Sequence, residues 1–220
     1  MQRNSSPGKK STGFFITFEG PEGSGKTTQI KQVEKFFKER GLEVITTREP
    51  GGTAAGDKIR NLLLQKGNED LEPETELFLM LAQRTEHLKK VIKPSIQSGK
   101  TVLCDRYFDS SMAYQGYGRG LPPQLIRDTH SYFLGDFLPD LTVLLLIPPD
   151  KGLERARHGG KKQLDRMESQ DLSFHRKVFD GYVNLAASEP NRFIAIEVDG
   201  DPETIFAKIK TELVNRLDLE

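Results

Sequence analysis

The stretch FFITFEGPEGSGKTTQ, residues 14–29, decides the fold. Its first six residues, FFITFE, are aromatic and β-branched and read as a buried strand. GPEGSGKT follows, a G-x-x-x-x-G-K-T pattern with Gly20, Gly25, Lys26 and Thr27 at its fixed positions, and then a helical period begins. Strand, glycine-rich loop and helix in that order form a phosphate cradle. Glycines let backbone N–H groups turn inward, the helix N-terminus adds its dipole, Lys26 neutralises charge and the Thr27 hydroxyl can hold Mg²⁺. The whole run Gly20, Pro21, Glu22, Gly23, Ser24, Gly25, Lys26, Thr27 and Thr28 is the expected nucleotide-phosphate site, with Lys26 in a solvated loop. Glu22 is out of keeping with it, a carboxylate where negative charge should be excluded.

Beyond the loop, short apolar runs alternate with longer helical patterns. EVITTR (43–48), TVLCD (101–105), LTVLLLI (141–147) and FIAIEV (193–198) join FFITFE (14–19) as expected strands. LTVLLLI is apolar at successive positions, which suits a parallel sheet covered on both faces. Helices are expected over 26–40, 57–66, 74–98, 123–134, 150–157, 170–188 and 202–217, with Pro94 kinking or ending the long one. In 170–188, Phe174, Val178, Tyr182 and Leu185 fall on one stripe and read as core. The alternation predicts a doubly wound α/β fold whose ligands sit at the carboxyl ends of the strands.

Composition narrows the class. With 220 residues, 35% hydrophobic, the chain reads as one globular domain, and Lys plus Arg equals Asp plus Glu at 32 each, so no nucleic-acid footprint or affinity for an acidic membrane is expected. Cys104 is the sole cysteine, which fits a reducing compartment, and no apolar run approaches the roughly 20 residues of a membrane helix. A cytoplasmic protein is expected, with residues 1–12 as a polar, frayed tail and 13–220 as the domain.

A phosphate loop serves motor ATPases, GTPases and kinases alike. No N-K-x-D is present for reading guanine. At the third strand's end stands CDRYFDSS, in which Asp105 can serve the metal, while Arg106 follows where many ATPases place a water-activating Glu. An arginine there favours holding a second phosphate group over activating water.

Together FEGPEGSGKTTQ, TREPGGT, DRYFDSSMAYQGYGRGL and LDRMES resemble the thymidylate kinase family over residues 14–217. The resemblance implies a P-loop nucleoside-monophosphate kinase fold with a five-stranded parallel sheet, helices on both faces and a short mobile lid. It also implies a homodimer that makes dTDP from dTMP with ATP and Mg²⁺, the metal at Thr27 and Asp105. In such a protein Glu22 turns toward the acceptor and accepts a hydrogen bond from the dTMP 3′-OH. Arg48, Glu49 and Pro50 line the acceptor pocket, and Arg60 reaches the dTMP phosphate with Arg106. Arg84, Ser111 and Gln115 match positions that bond the thymine edge, and Tyr114 crowds the sugar's 2′ position. Met80 stands where the family usually presents a Phe stacked on thymine; Phe78, two residues away on a helix, faces elsewhere.

The resemblance also implies that, with Gly23 rather than arginine after the loop carboxylate, catalytic charge comes from the lid, RARHGGKKQLDRMES at 155–169. Arg157 and Arg166 lead its candidates, with Arg155, Lys161 and Lys162 beside them and Gly159-Gly160 as a hinge. Two alternatives stay open: another nucleoside-monophosphate kinase on the same fold, or an ATP-binding switch module without phosphoryl transfer.

Overall fold

The computed structural model describes residues 13–66, 71–158 and 165–219. Five parallel strands form one sheet in the order β2-β3-β1-β4-β5: β1 Phe15–Glu19, β2 Val44–Arg48, β3 Thr101–Asp105, β4 Leu141–Leu146 and β5 Phe193–Glu197. The order reverses beside β1, so the loop leaving β1 opens at the topological switch point, with β3 on one side and β4 on the other. Each strand lies within a residue of its expected bounds at either end.

Side-chain alternation along β1 distributes the core to both faces. Phe15 packs with Val102, Leu144, Phe193 and the helical stripe Phe174, Val178, Tyr182 and Leu185. Ile16 and Phe18 pack the other way, with Leu103, Val143, Val33, Phe37 and Ile209. The helices that cover these faces include α1 Lys26–Lys38, α2 Ala54–Leu64, α3 Pro73–His87, α4 Lys93–Gln97, α5 Phe108–Ser111, α6 Pro123–Leu134, α7 Pro149–His158, α8 Leu172–Ser188 and α9 Pro202–Leu217.

The structure departs from the sequence-based expectation in three places. Helix α2 starts earlier than 57, because the Thr53 side chain caps it by accepting from Gly56 N at 3.0 Å. The stretch expected as one helix over 74–98 is α3, then a π-helical turn over Leu88–Ile92, then α4 with Pro94 in its first turn. Pro94 has no N–H to continue the α ladder, and the chain takes the wider turn just before it. After β3 the chain enters α5 and a second π-helical segment, Met112–Gly118. This wide turn has no counterpart among the expected helices, and it carries Tyr114 and Gln115 to the wall of the main cavity.

Candidate active site

One cavity of about 450 Å³ lies at the carboxyl end of β1 and β3. Residues of the glycine loop line it together with Arg48, Arg60, Met80, Asp105, Arg106, Tyr114 and Gln115. Gly23 stands in the left-handed region at φ 69°, and a Cβ built there would lie 2.0 Å from the Gly152 carbonyl oxygen of α7. Both backbone conformation and the close pass of α7 exclude a side chain at this position, arginine included.

Lys26 is not solvated as the sequence suggested. It is buried, and its ammonium donates to Gly20 O at 3.0 Å, Pro21 O at 2.9 Å and Ser24 Oγ at 3.3 Å. Burial, and then the nearby Arg106 charge, lower its pKa to about 8. At the start of α1 the Thr27 hydroxyl reaches Asp105 Oδ2 at 3.3 Å. A hydroxyl and a carboxylate so close are hard oxygen donors that fit Mg²⁺, which usually takes few protein ligands and completes its shell with phosphates and water. No cluster of three or more His, Cys, Asp or Glu able to hold a metal occurs among the described residues.

Arg106 occupies φ 70°, an uncommon conformation for a residue with a side chain. It is held there by its neighbours. Its guanidinium donates to Glu22 Oε1 at 2.7 Å, Tyr182 OH at 3.1 Å and Ser110 Oγ at 3.3 Å, and lies 4.9 Å from the Tyr114 ring centre. Tyr114 OH donates to the same Glu22 oxygen at 2.9 Å. Behind Arg106 is Glu19, fully buried at the end of β1. It accepts from Tyr107 N at 2.7 Å, Ser110 Oγ at 2.6 Å and Tyr182 OH at 2.9 Å. Burial, reinforced by Asp109, raises the Glu19 pKa.

Arg60, also in the cavity wall, donates to Pro50 O at 2.9 Å. Burial, and then the nearby Arg48 charge, lower the pKa of Arg60, while Asp165 acts the other way. Glu49 lines the cavity, but its carboxylate is engaged behind the wall by Arg84 Nε at 2.7 Å and His87 Nδ1 at 3.0 Å. Burial works against the Glu49 charge, yet these two partners prevail and hold its pKa below the usual carboxylate value.

Of the residues singled out in sequence, the cavity wall takes in Glu22 through Thr28, Arg48, Glu49, Pro50, Arg60, Met80, Asp105, Arg106, Tyr114, Gln115 and Arg166. Gly20 and Pro21 stand behind it, contributing carbonyls to Lys26. Arg84 and Ser111 also lie behind it, fully buried and bonded to each other at 3.0 Å. Arg155 and Arg157 are exposed on α7, while Arg166 is buried, donating to Glu76 Oε2 and to Leu63 O, both at 2.7 Å. Lys161, Lys162 and the Gly159-Gly160 pair lie outside the described residues.

Sequence reasoning missed Glu19, Glu76, Ser110 and the hydroxyl role of Tyr182. Signals existed for two of them. Glu19 is a carboxylate closing a buried strand, and Glu76 shares the spacing of the buried Met80, Gln83 and His87 on α3.

The glycine loop and three guanidinium groups, those of Arg48, Arg60 and Arg106, line the same cavity. On a doubly wound parallel sheet, that pairing defines a P-loop nucleoside-monophosphate kinase. The model of the thymidylate kinase family matches residues 18–209. The thymidylate kinase of Maridesulfovibrio salexigens is 43% identical over 209 residues, covering 93% of this chain and 96% of its own. That of Deinococcus radiodurans is 45% identical over 199 residues, covering 90% and 95%. A crystal structure of thymidylate kinase from Ehrlichia chaffeensis superposes with a TM-score of 0.75 at 33% identity, covering 91% of this chain and 98% of that one. This chain belongs to the thymidylate kinase family.

Proposed function

We propose that this protein transfers the γ-phosphoryl group of ATP to dTMP, giving dTDP and ADP, with Mg²⁺ held by Thr27 and Asp105. The observation that carries this reading is the meeting of the phosphate loop with Arg106, Glu22 and Tyr114 in one cavity. ATP phosphates enter the loop, where Lys26 exchanges loop carbonyls for phosphate oxygens. Mg²⁺ supplies neutralisation of the polyphosphate charge. Arg106 and Arg60 grip the dTMP phosphate and set its attacking oxygen in line, so that positioning does most of the catalytic work. Glu22 accepts from the sugar 3′-OH, Tyr114 disfavours a 2′-OH, and Met80 packs against the base. Arg157 or Arg166, from a lid over about 155–169, meets charge developing on the transferred group.

The exposed Phe78 on α3 and Leu125, Tyr132 and Phe133 on α6, two helices in contact, support a homodimer through that face. No helix among the described residues is long and apolar enough to cross a membrane, in keeping with action in the cytoplasm. The test is a steady-state assay with ATP, Mg²⁺ and a panel of nucleoside monophosphates. The reading expects dTMP to have the highest kcat/KM and is overturned if another monophosphate exceeds it.

A further inference from the structure

We propose that Glu76 sets the base specificity of the acceptor pocket, by fixing which end of the Gln115 amide faces the ligand. This rests on reading that pocket as the dTMP site. Glu76 and Gln115 both line the cavity and both are buried, at 1% and 3% exposure. Gln115 Nε2 lies 2.6 Å from Glu76 Oε1. The other Glu76 oxygen receives Arg166 at 2.7 Å and Arg119 at 3.3 Å. A carboxylate that already accepts from two guanidinium groups offers Gln115 an acceptor, so the Gln115 atom against it must be the N–H₂ end. The reverse orientation would set two acceptors 2.6 Å apart. Glu76 thereby decides an amide orientation that Gln115 alone leaves open.

The consequence is visible at the other end of the amide. Gln115 Oε1 is buried and has no hydrogen-bond partner. A buried acceptor in a ligand cavity calls for an N–H from the ligand. Thymine carries its sugar on N1, so N3–H is the one ring donor it has to give. Cytosine in the same pose presents an N3 lone pair to Oε1 and leaves both groups unsatisfied, the kind of mismatch a polar site rejects strongly. Glu76 touches neither the base nor the reacting atoms in this scheme. It is a positioning residue acting through Gln115.

The experiment compares kcat/KM for dTMP and dCMP in the full-length parent and in Glu76→Gln, Glu76→Asp and Gln115→Met. Glu76→Gln offers either a donor or an acceptor, which frees Gln115 to turn its amide to cytosine. The expected result is a dTMP-to-dCMP ratio at least ~10-fold below the parent's, with dCMP use rising in absolute terms. Glu76→Asp remains an acceptor and keeps the parent's ratio even where melting temperature falls. Gln115→Met removes the amide and lowers the ratio, which keeps the test open should Glu76→Gln not fold. A folded Glu76→Gln or Gln115→Met with the parent's ratio would overturn the inference. So would equal loss of preference in Glu76→Asp and Glu76→Gln, since that assigns the effect to the ion pairs with Arg166 and Arg119. A parent that does not use dTMP at all shows instead that the acceptor reading beneath it is wrong, and the inference goes with it.

Discussion

Arg106 and Glu22 meet across 2.7 Å where the phosphate loop approaches the end of β3, and the Tyr114 hydroxyl donates to the same carboxylate oxygen. The pair resolves why a loop built for anions carries a carboxylate. Glu22 faces across the cavity to a cation and a phenol, with Arg106 neutralising it. A bound dTMP would divide the pair, its phosphate going to Arg106 and its 3′-OH to Glu22.

Glu22→Gln retains an acceptor but loses the charge. The expected outcome is a rise of roughly 10- to 100-fold in the KM for dTMP, the scale of a lost charge-assisted hydrogen bond, with the KM for ATP nearly unchanged. Steady-state kinetics with each substrate varied in turn check this. A change confined to ATP would remove Glu22 from the acceptor site.

Lys26 gives a pH signature. In the free protein its pKa is about 8, whereas the unfolded chain holds the proton up to about 10.5. Below pH 8 both forms are protonated and burying the charge costs stability; as pH rises from about 8 toward 10.5 the folded form releases its proton first, so this cost is progressively relieved and stability rises. A polyphosphate beside Lys26 reverses the shift, so ATP binding near pH 8 should take up a fraction of a proton and weaken at higher pH. Calorimetry in buffers of different ionisation heat measures the uptake. Zero uptake, or affinity that climbs with pH, would contradict it.

Tyr182→Phe should lower stability by about 1–2 kcal/mol, because its hydroxyl is one of the partners of the buried Glu19 carboxylate. At ~2–4 °C per kcal/mol for a protein of this size, thermal melting resolves the change. Arg106 loses a support as well, so dTMP should bind more weakly. An unchanged melting temperature would mean that Ser110 and the backbone suffice to hold Glu19.

The fold was legible where side-chain chemistry is monotonous. LTVLLLI, short and apolar on both faces, suits a covered strand, and G-x-x-x-x-G-K-T between strand and helix marks the loop. Less of the site was legible, for physical reasons. The π-helical turn over Met112–Gly118 has no hydrophobic period of its own and is shaped by packing against α8 and α6. Tyr182 reads as core by spacing, and it is core; its ring fills the stripe while its hydroxyl reaches Glu19, a doubling of roles that periodicity does not separate. Lys26 looked solvated because lysine in a glycine loop usually is. The carbonyls of Gly20 and Pro21 draw it inward.

The lid arginines should divide by mutation. Arg157 is exposed on α7, so Arg157→Ala should leave stability within about 0.5 kcal/mol while lowering kcat, by as much as ~10³ if it meets the transferred group. Arg166 is buried against Glu76, so Arg166→Ala should also cost about 1–3 kcal/mol of stability. Melting curves beside kcat for each variant make the comparison. If neutralising Arg155, Arg157, Lys161, Lys162 and Arg166 together leaves kcat within a few-fold of the parent, the lid supplies no catalytic charge.

Product analysis separates phosphoryl transfer to a nucleotide from nucleotide binding alone and from hydrolysis. The full chain is incubated with ATP, Mg²⁺ and dTMP and followed by ³¹P NMR, with Lys26→Ala as control. dTDP and ADP should appear one for one, with little inorganic phosphate, and the folded variant should give no dTDP. ADP and inorganic phosphate without dTDP, or no turnover by the parent, would contradict it.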